Sequence, residues 1–537
     1  MKVLLYAPSR LRRCVRFTGL LCLAFLGGIL PVAAGSEELP RRPNIILIVG
    51  DDVGYSDIGC FGSEIQTPHL DSLGMQGMRF TQFTNMSKCD PTRSALLTGL
   101  MTPTPMGQNK LPRSHPRAGN SIHFARLLKE AGYYTAMAGK EHYSTWVPKQ
   151  MYASNDIFDD YFIYWAINPF FERGDGKDFE NPFMFNGKPI SVDEMIPHRK
   201  PFFKTDVVTD YALSFLERAH QQDKPFFLYL PYHAAHYPIQ ARPEDIARYR
   251  GHYQKLGWNR IRQARFEKQQ GLGILPPNAA LPPTPLNWEK LSEREQHHED
   301  EMMAIFSGLI TRMDENIGRI IEKTIALECA DNTLIIFISD NGSTEVTSSM
   351  KLQARTPKPR GDAGGPSSYD FLGRGWATVG NTPYRQFKRS SFAGGQRTHG
   401  IFYWPGTIQP KICHAPTHLT DLYPTFLELA GITYPQTFHD IRTPTLDGLS
   451  LAPLIQGKAL PAAEQRLIVS GTYETTQSLR MGNWKWITGD KVRGKNQNQY
   501  LFDLAKDPCE SENLYKAMPE KVQHLEQAYE KWLSERE

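Results

Sequence analysis

The chain has 537 residues and a formal net charge of +4, with 40% hydrophobic and 22% charged residues. That length supports a large core and two or more domains, and the composition is that of an ordinary soluble globular protein. So small a positive charge gives no case for a nucleic-acid partner.

At the N-terminus, Lys2, Arg10, Arg12, Arg13 and Arg16 precede the apolar run 17–30, and Val32-Ala33-Ala34 offers small residues for cleavage. This is the pattern of a secretory signal over 1–34. The apolar run is shorter than the roughly 20 residues a spanning helix needs, so we expect an exported chain, periplasmic or secreted, without stable membrane insertion. Removing the signal takes away five basic and no acidic residues and moves the formal charge from +4 to −1. The basicity therefore belongs to the leader. Five cysteines remain, Cys60, Cys89, Cys329, Cys413 and Cys509, an odd number without metal-type spacing, so in an oxidising compartment at least one is unpaired or modified.

The run Asn44–Gly50 is almost continuously apolar, as in a strand buried on both faces, and it ends in Asp51-Asp52. A helix follows, with Thr67 as N-cap and Pro68 at its first position, reaching Gln76. Residues 88–99 begin as a loop and become a short helix: Pro91 is tolerated in a first turn, Ala95, Leu96 and Leu97 are good helix formers, and Gly99 suits the C-terminal cap. Cys89 then sits at the positive end of that helix with Arg93 one turn on, a setting that holds an anion and activates a nucleophile. Next come a helix over 121–131 and a strand over 134–138 that runs into Lys140-Glu141-His142. Lys140 and His142 share a face if the strand continues that far.

Residues 152–200 are rich in Phe, Tyr, Asp, Gly and Pro with no period, which predicts irregular loops whose aromatics mostly pack locally. A helix over 206–220 leads into a strand over 226–230 ending at Pro231-Tyr232-His233-Ala234-Ala235-His236. The basic stretch 244–265 reads as a solvated helical face, 276–285 as a proline-rich loop, and 293–327 as a long helix burying Ile305, Leu309, Ile317 and Ile320. A strand over 334–338 ends at Asp340-Asn341, a Gly/Pro-rich loop spans 356–375, and a strand over 401–404 and a helix over 422–430 complete the pattern. Beyond 446 shorter strands, 467–470, 477–481 and 484–488, and a helix over 519–534 predict a smaller antiparallel subdomain. The domains expected are thus 42–445 and 446–537.

Alternating strands and helices imply an α/β fold with a mainly parallel sheet covered on both sides, and ligands in such sheets bind beyond the carboxyl ends of the strands. Four strands end in Asp51-Asp52, Lys140-x-His142, the His233 and His236 pair, and Asp340-Asn341. Three carboxylates and an amide without a second thiolate favour calcium or magnesium over zinc. Asn341 also opens a glycosylation sequon, which a metal ligand at a strand mouth could not carry.

Cys89-Asp90-Pro91-Thr92-Arg93, followed by Leu97-Thr98-Gly99, resembles the C-x-P-[ST]-R-x-x-x-L-T-G signature of type I sulfatases. Gly139-Lys140-Glu141-His142 is similar to that family's G-K-x-H motif, and His236 in Ala235-His236-Tyr237-Pro238 to its histidine before a proline. Lys388 resembles the second active-site lysine, at the usual spacing from Gly394-Gly395, although Ala393 stands where Glu is commonest. His233 has no counterpart and is expected either to support the site from behind its ligands or to be structural. The likeness extends from Pro43 to Leu501-Phe502-Asp503-Leu504 and the segment 510–514.

The resemblance implies an alkaline-phosphatase-like fold and a calcium-dependent sulfuric ester hydrolase. It implies that a formylglycine-generating enzyme converts Cys89 to formylglycine, whose hydrate attacks sulfur. Asp51, Asp52, Asp340, Asn341 and residue 89 would hold one calcium ion. Arg93, Lys140 and Lys388 would stabilise anionic oxygens, His236 or Lys388 would protonate the leaving oxygen, and His142 or a neighbour would take the proton that releases sulfate. Export and the family suggest a sulfated carbohydrate as substrate. Two alternatives stay open: a phosphonate or phosphodiester hydrolase of the same superfamily, and a non-catalytic protein that binds sulfated glycans.

Overall fold

The computed structural model describes residues 42–101, 119–142, 152–165, 169–172, 183–195, 201–347, 361–460, 465–472, 476–490 and 498–536. The expected signal, 1–34, lies outside them.

Among the described residues eleven strands form the main sheet: β1 (Asn44–Gly50), β2 (Met78–Thr84), β3 (Tyr134–Glu141), β4 (Asp160–Trp165), β5 (Phe183–Phe185), β6 (Lys188–Ile190), β7 (Phe226–Pro231), β8 (Thr333–Ser339), β9 (Arg397–Tyr403), β10 (Lys411–Cys413) and β11 (Thr417–His418). Their order is β10-β2-β9-β8-β1-β7-β3-β4-β5-β6, with β11 beside β2. β1 pairs in parallel with both β7 and β8, and β3 in parallel with β7 and β4. β9 runs antiparallel to β8 and β2, so the sheet is mainly and not wholly parallel.

The principal helices are α1 (Pro68–Gln76), α2 (Cys89–Thr98), α3 (Phe124–Glu130), α4 (Lys204–Gln221), α5 (His252–Gly271), α6 (Glu293–Ala326), α7 (Leu422–Leu429) and α8 (Pro519–Ser534). Alternate residues of β1 serve different cores. Ile46 and Ile48 pack with Val207 and Tyr211 of α4 and Ile305 and Leu309 of α6, while Ile45, Leu47 and Val49 pack with Leu96 and Leu97 of α2, Phe124 of α3 and Phe426 of α7. Helices on both faces explain why the strand carries no polar alternation.

Several local expectations shift. α3 begins at Phe124 and not 121, because His123 Nδ1 accepts from the Ala125 backbone N–H at 3.1 Å and caps the helix there. β3 continues through Glu141, carried by its pairing with β4, in which Lys140 faces Tyr164 and Glu141 faces Trp165. The stretch read as loops supplies β4, β5 and β6, and its aromatics do pack locally: Phe162 stacks on Tyr211 of α4 with centroids 4.0 Å apart. The basic stretch is solvated at Lys255 and Arg260 but not throughout. Arg265 is buried, donating to Asp57 Oδ1 at 2.7 Å and Glu64 Oε2 at 2.8 Å.

A hairpin of β12 (Thr437–Phe438) and β13 (Ile441–Arg442) precedes a separate four-stranded antiparallel sheet. Its strands are β14 (Leu467–Thr472), β15 (Thr476–Met481), β16 (Trp484–Asp490) and β17 (Asn498–Asp503). The last of these was not expected from sequence. Leu525, Tyr529 and Trp532 of α8 pack against Leu479, Trp486 and Leu501 of this sheet. All five described cysteines are free thiols.

Gly139 sits one residue before Lys140 at φ +133°, where a Cβ would stand 2.1 Å from the Pro231 carbonyl oxygen of β7. Only glycine lets β3 approach β7 this closely. Gly139→Ala is expected to lower stability by about 1–3 kcal/mol through overpacking, read by denaturant unfolding, and to cost activity by displacing Lys140.

Candidate active site

The ends of β1, β7 and β8 are stitched together by the backbone. Asp51 N–H donates to Ala234 O at 2.9 Å, and Asp340 N–H donates to Gly50 O at 3.1 Å. Asp51 and Asp340 therefore leave adjacent parallel strands side by side, and Asp52, at φ +60°, turns the chain so that both carboxylates of the pair are buried there.

Arg93 reaches this point from α2. Its Nε and Nη2 donate to Asp340 Oδ2 at 3.0 and 2.7 Å, its Nη2 lies 3.6 Å from Asp51 Oδ2, and its Nη1 donates to Lys140 O at 3.4 Å. The Lys140 ammonium donates to Asp51 Oδ2, and the Lys388 ammonium to Asp52 Oδ1. Asn341 Nδ2 donates to Asp52 Oδ1 at 2.6 Å. His236 Nε2 lies 3.7 Å from Asp52 Oδ2, and its Nδ1 donates to Tyr237 O at 2.7 Å. Three carboxylates and three cations thus share one buried cluster.

Burial would push these carboxyls up, but the Lys140 and Arg93 cations hold Asp51 well below the usual carboxylate range. Burial and the neighbouring Asp51 charge push Asp340 up to about 7, against the pull of Arg93. Burial disfavours the Lys388 cation, yet Asp52 and its neighbours keep it charged well above the usual lysine value. Burial also lowers His236 to about 4 and takes His142 well below its ordinary value, with Lys140 repelling the proton in both cases. Both imidazoles are neutral at pH 7. A carbonyl can only accept, so His236 carries its proton on Nδ1 and presents an Nε2 lone pair.

Asp51 Oδ1, Asp52 Oδ2 and Asn341 Oδ1 are buried and have no hydrogen-bond partner. Unsatisfied buried oxygens are costly, and three converging hard donors beside a raised Asp340 fit a divalent cation of the calcium or magnesium type. One ligand atom each from Asp51, Cys89 and Asp340 lie within 4.8 Å of one another, as do those from Asp51, Asp52 and His236. The site residues expected from sequence come together here, with His142 at the end of β3, half-buried and with Nδ1 unpaired.

One expectation is corrected. Cys89 stands at the first position of α2, but Arg93 spends its charge on Asp340, and burial outweighs Lys388 and Lys140 to push the thiol up to about 11. The free thiol is not an activated nucleophile.

Sequence reasoning missed Lys204. This buried residue at the start of α4 places Nζ 2.7 Å from His233 Nδ1, and His233 stacks on His236 with centroids 5.2 Å apart. Burial drives the Lys204 cation and the protonated form of His233 well below their usual values. His233 thus packs behind the His236 ring, the supporting position that was one of its two expected roles. The available signal was a lysine in a first helical turn, where the macrodipole disfavours a cation.

The sulfatase family model matches residues 43–432. An arylsulfatase of Klebsiella aerogenes is 29% identical, over 81% of this chain and 97% of its own. Among solved structures, Ps i-CgsB in complex with k-i-k-neocarrahexaose has a TM-score of 0.62 at 24% identity, covering 92% of this chain and 93% of that one. BT4656 in complex with its substrate D-glucosamine-2-N,6-O-disulfate has a TM-score of 0.60 at 20% identity, covering 92% of this chain and 98% of that one. These two likenesses are of fold, an alkaline-phosphatase-like one. The chain belongs to the sulfatase family and is a sulfatase enzyme.

In protein whose Cys89 is unconverted, a thiol raised from 9.0 to about 11 stays protonated at pH 8. Its thiolate fraction is about a hundredfold below that of an unshifted thiol, so iodoacetamide should label Cys89 at least that much more slowly than an exposed cysteine, read by peptide mass spectrometry.

Proposed function

We propose that this sulfatase removes sulfate from a sulfated carbohydrate at the centre formed by residue 89, Asp51, Asp52, Arg93, Lys140, His142, His236, Asp340, Asn341 and Lys388. The observation that carries this reading is the buried position of Cys89 beside unpartnered carboxylate and amide oxygens and three cations. On this reading a formylglycine-generating enzyme converts Cys89 to formylglycine, and Asp51, Asp52, Asp340, Asn341 and residue 89 hold one calcium ion. In place, those groups supply a hydroxyl nucleophile and a Lewis acid that polarises a sulfate oxygen.

The chain's own residues divide the remaining work. Arg93, locked onto Asp340, holds that carboxylate in place and offsets its charge. Carboxylates engaged by a cation bind Lys140 and Lys388 less tightly, which frees both ammonium groups for anionic oxygens. Lys388 keeps its proton and is the donor to the departing alcohol oxygen, whereas neutral His236 offers only a lone pair at Nε2 and accepts. Neutral His142, with Nδ1 unpaired, receives the proton lost from residue 89 when sulfate departs.

Charge favours a singly charged ester. Three carboxylates already balance Arg93, Lys140 and Lys388, so a divalent cation leaves room for an ionised nucleophile and one ester charge. A sulfate ester meets that condition and so does a phosphodiester, which keeps the phosphonate or phosphodiester hydrolase as the alternative. A protein that only binds sulfated glycans needs no proton donor for a leaving group, so a lysine placed as that donor favours hydrolysis over binding alone. The substrate class is supported by the sulfated sugar that the similarly folded BT4656 holds as its substrate. Export is supported by the basic-then-apolar N-terminus, and among the described residues no helix is long and apolar enough to cross a membrane.

The test is sulfate release from an aryl sulfate and a panel of sulfated oligosaccharides, beside a phosphodiester. We expect sulfate esters to be preferred and at least one sulfated sugar to be desulfated; turnover of the phosphodiester alone would reject the reading. Chelation should abolish turnover and added calcium restore it. Lys388→Ala is expected to lower kcat/KM by about 10²–10⁴ for alkyl and sugar sulfates, and less for nitrophenyl sulfate, whose leaving group needs no proton.

A further inference from the structure

A second concentration of positive charge lies where the small antiparallel sheet meets the main one. A cleft of about 720 Å³ there is lined by Gln82, Tyr384, Arg397, His414 and Asn483, among others, and by none of the proposed catalytic residues. Arg397 is 5% exposed. Its Nη1 donates to Thr81 O at 3.2 Å, its guanidinium lies 5.1 Å over the Tyr384 ring, and its Nε is sealed from solvent without a partner.

Behind Arg397, Arg480 of β15 and Lys485 of β16 are directly opposite each other across the strands, and both are buried. Like charges so placed repel. The carboxylate that answers them is Glu510, and both its oxygens are engaged: Oε1 by Lys485 Nζ at 2.6 Å and Oε2 by the Ala393 backbone N–H at 2.7 Å. Asp507 is turned away, accepting from the backbone N–H groups of Ser511 and Glu512. Among the described residues neither Arg397 nor Arg480 forms an ion pair, and burial together with Arg397 brings Arg480 down to about 9. Two guanidinium groups and an ammonium therefore share one carboxylate beside an open cleft.

We propose that this cleft is a second oxyanion site that binds a sulfate group, either as inorganic sulfate or as a substituent of a sulfated chain, with Arg397 as its anchor. A tetrahedral oxyanion in the cleft meets the Arg397 guanidinium that lines it and offsets charge that Glu510 leaves uncompensated. Gln82, His414 and Asn483 add polar groups at the lining. That the oxyanion is sulfate rests on the sulfatase reading; the existence of the site does not.

Isothermal titration of inorganic sulfate into the full-length calcium-loaded protein tests this, comparing wild type with Arg397→Gln and His414→Glu. His414 is exposed, so its variant reads the site if Arg397→Gln fails to fold. We expect a second sulfate-binding event in the wild type that each variant weakens at least about tenfold. Identical isotherms in wild type and His414→Glu would overturn the proposal. Saturation beforehand with a sulfated galactan hexasaccharide removes the second event if the chain supplies the sulfate, and leaves it if free sulfate is the ligand; both results place an oxyanion in the cleft. The readout is binding and not turnover, so failure of the hydrolase reading would not imitate failure here.

Discussion

Everything in the candidate active site depends on holding three carboxylates together in a buried place where they repel. Asp51, Asp52 and Asp340 have almost no contact with solvent. At such depth each charge is costly unless paired, and Arg93, Lys140 and Lys388 provide the pairing. The balance is local and complete for the protein alone, yet three oxygen atoms remain without partners. On the proposed function those atoms are where a cation would sit, and the lysines it would loosen are where an anion would.

The fold earns this arrangement by parallel pairing of strands far apart in sequence. β1 registers Val49 against Ile338 of β8 and against Pro231 of β7, so that Asp51, Asp340 and the His233 to His236 turn emerge at one level. β3 delivers Lys140 beside them because glycine at 139 lets it close on β7. Lys388 comes from a loop tied down on two sides: its own N–H donates to Ser343 O, and Arg389 N–H to Ser87 O next to α2. The site therefore draws on distant segments that meet only when the sheet forms.

Much of this could be read from the chain. Apolar runs that stop at Asp51-Asp52 and at Asp340-Asn341 reveal buried parallel strands and their functional ends, since a sheet covered on both faces leaves polar residues only at its rim. What could not be read follows from side chains that take partners across the fold. Arg265 looks solvated on its own helix and is buried because Asp57 and Glu64 meet it there. Arg93 looks like an activating cation for Cys89, whereas its charge goes to Asp340. Lys204 and Glu510 answer partners from other elements, His233 and Lys485, and no local pattern announces either. Strand β4 was hidden by aromatic residues on both faces, which erase the alternation that would have betrayed it, and β5 and β6 by a length of three residues each, too short to show a period.

The most direct test of the central claim is a tandem mass spectrum of the peptide containing residue 89, from protein produced with a formylglycine-generating enzyme. The account predicts an aldehyde in place of the Cys89 thiol. An unmodified thiol, under conditions that convert the corresponding cysteine of a control sulfatase, would contradict it: a thiol held protonated by burial cannot begin the reaction, and the cluster of carboxylates and lysines would then serve binding alone.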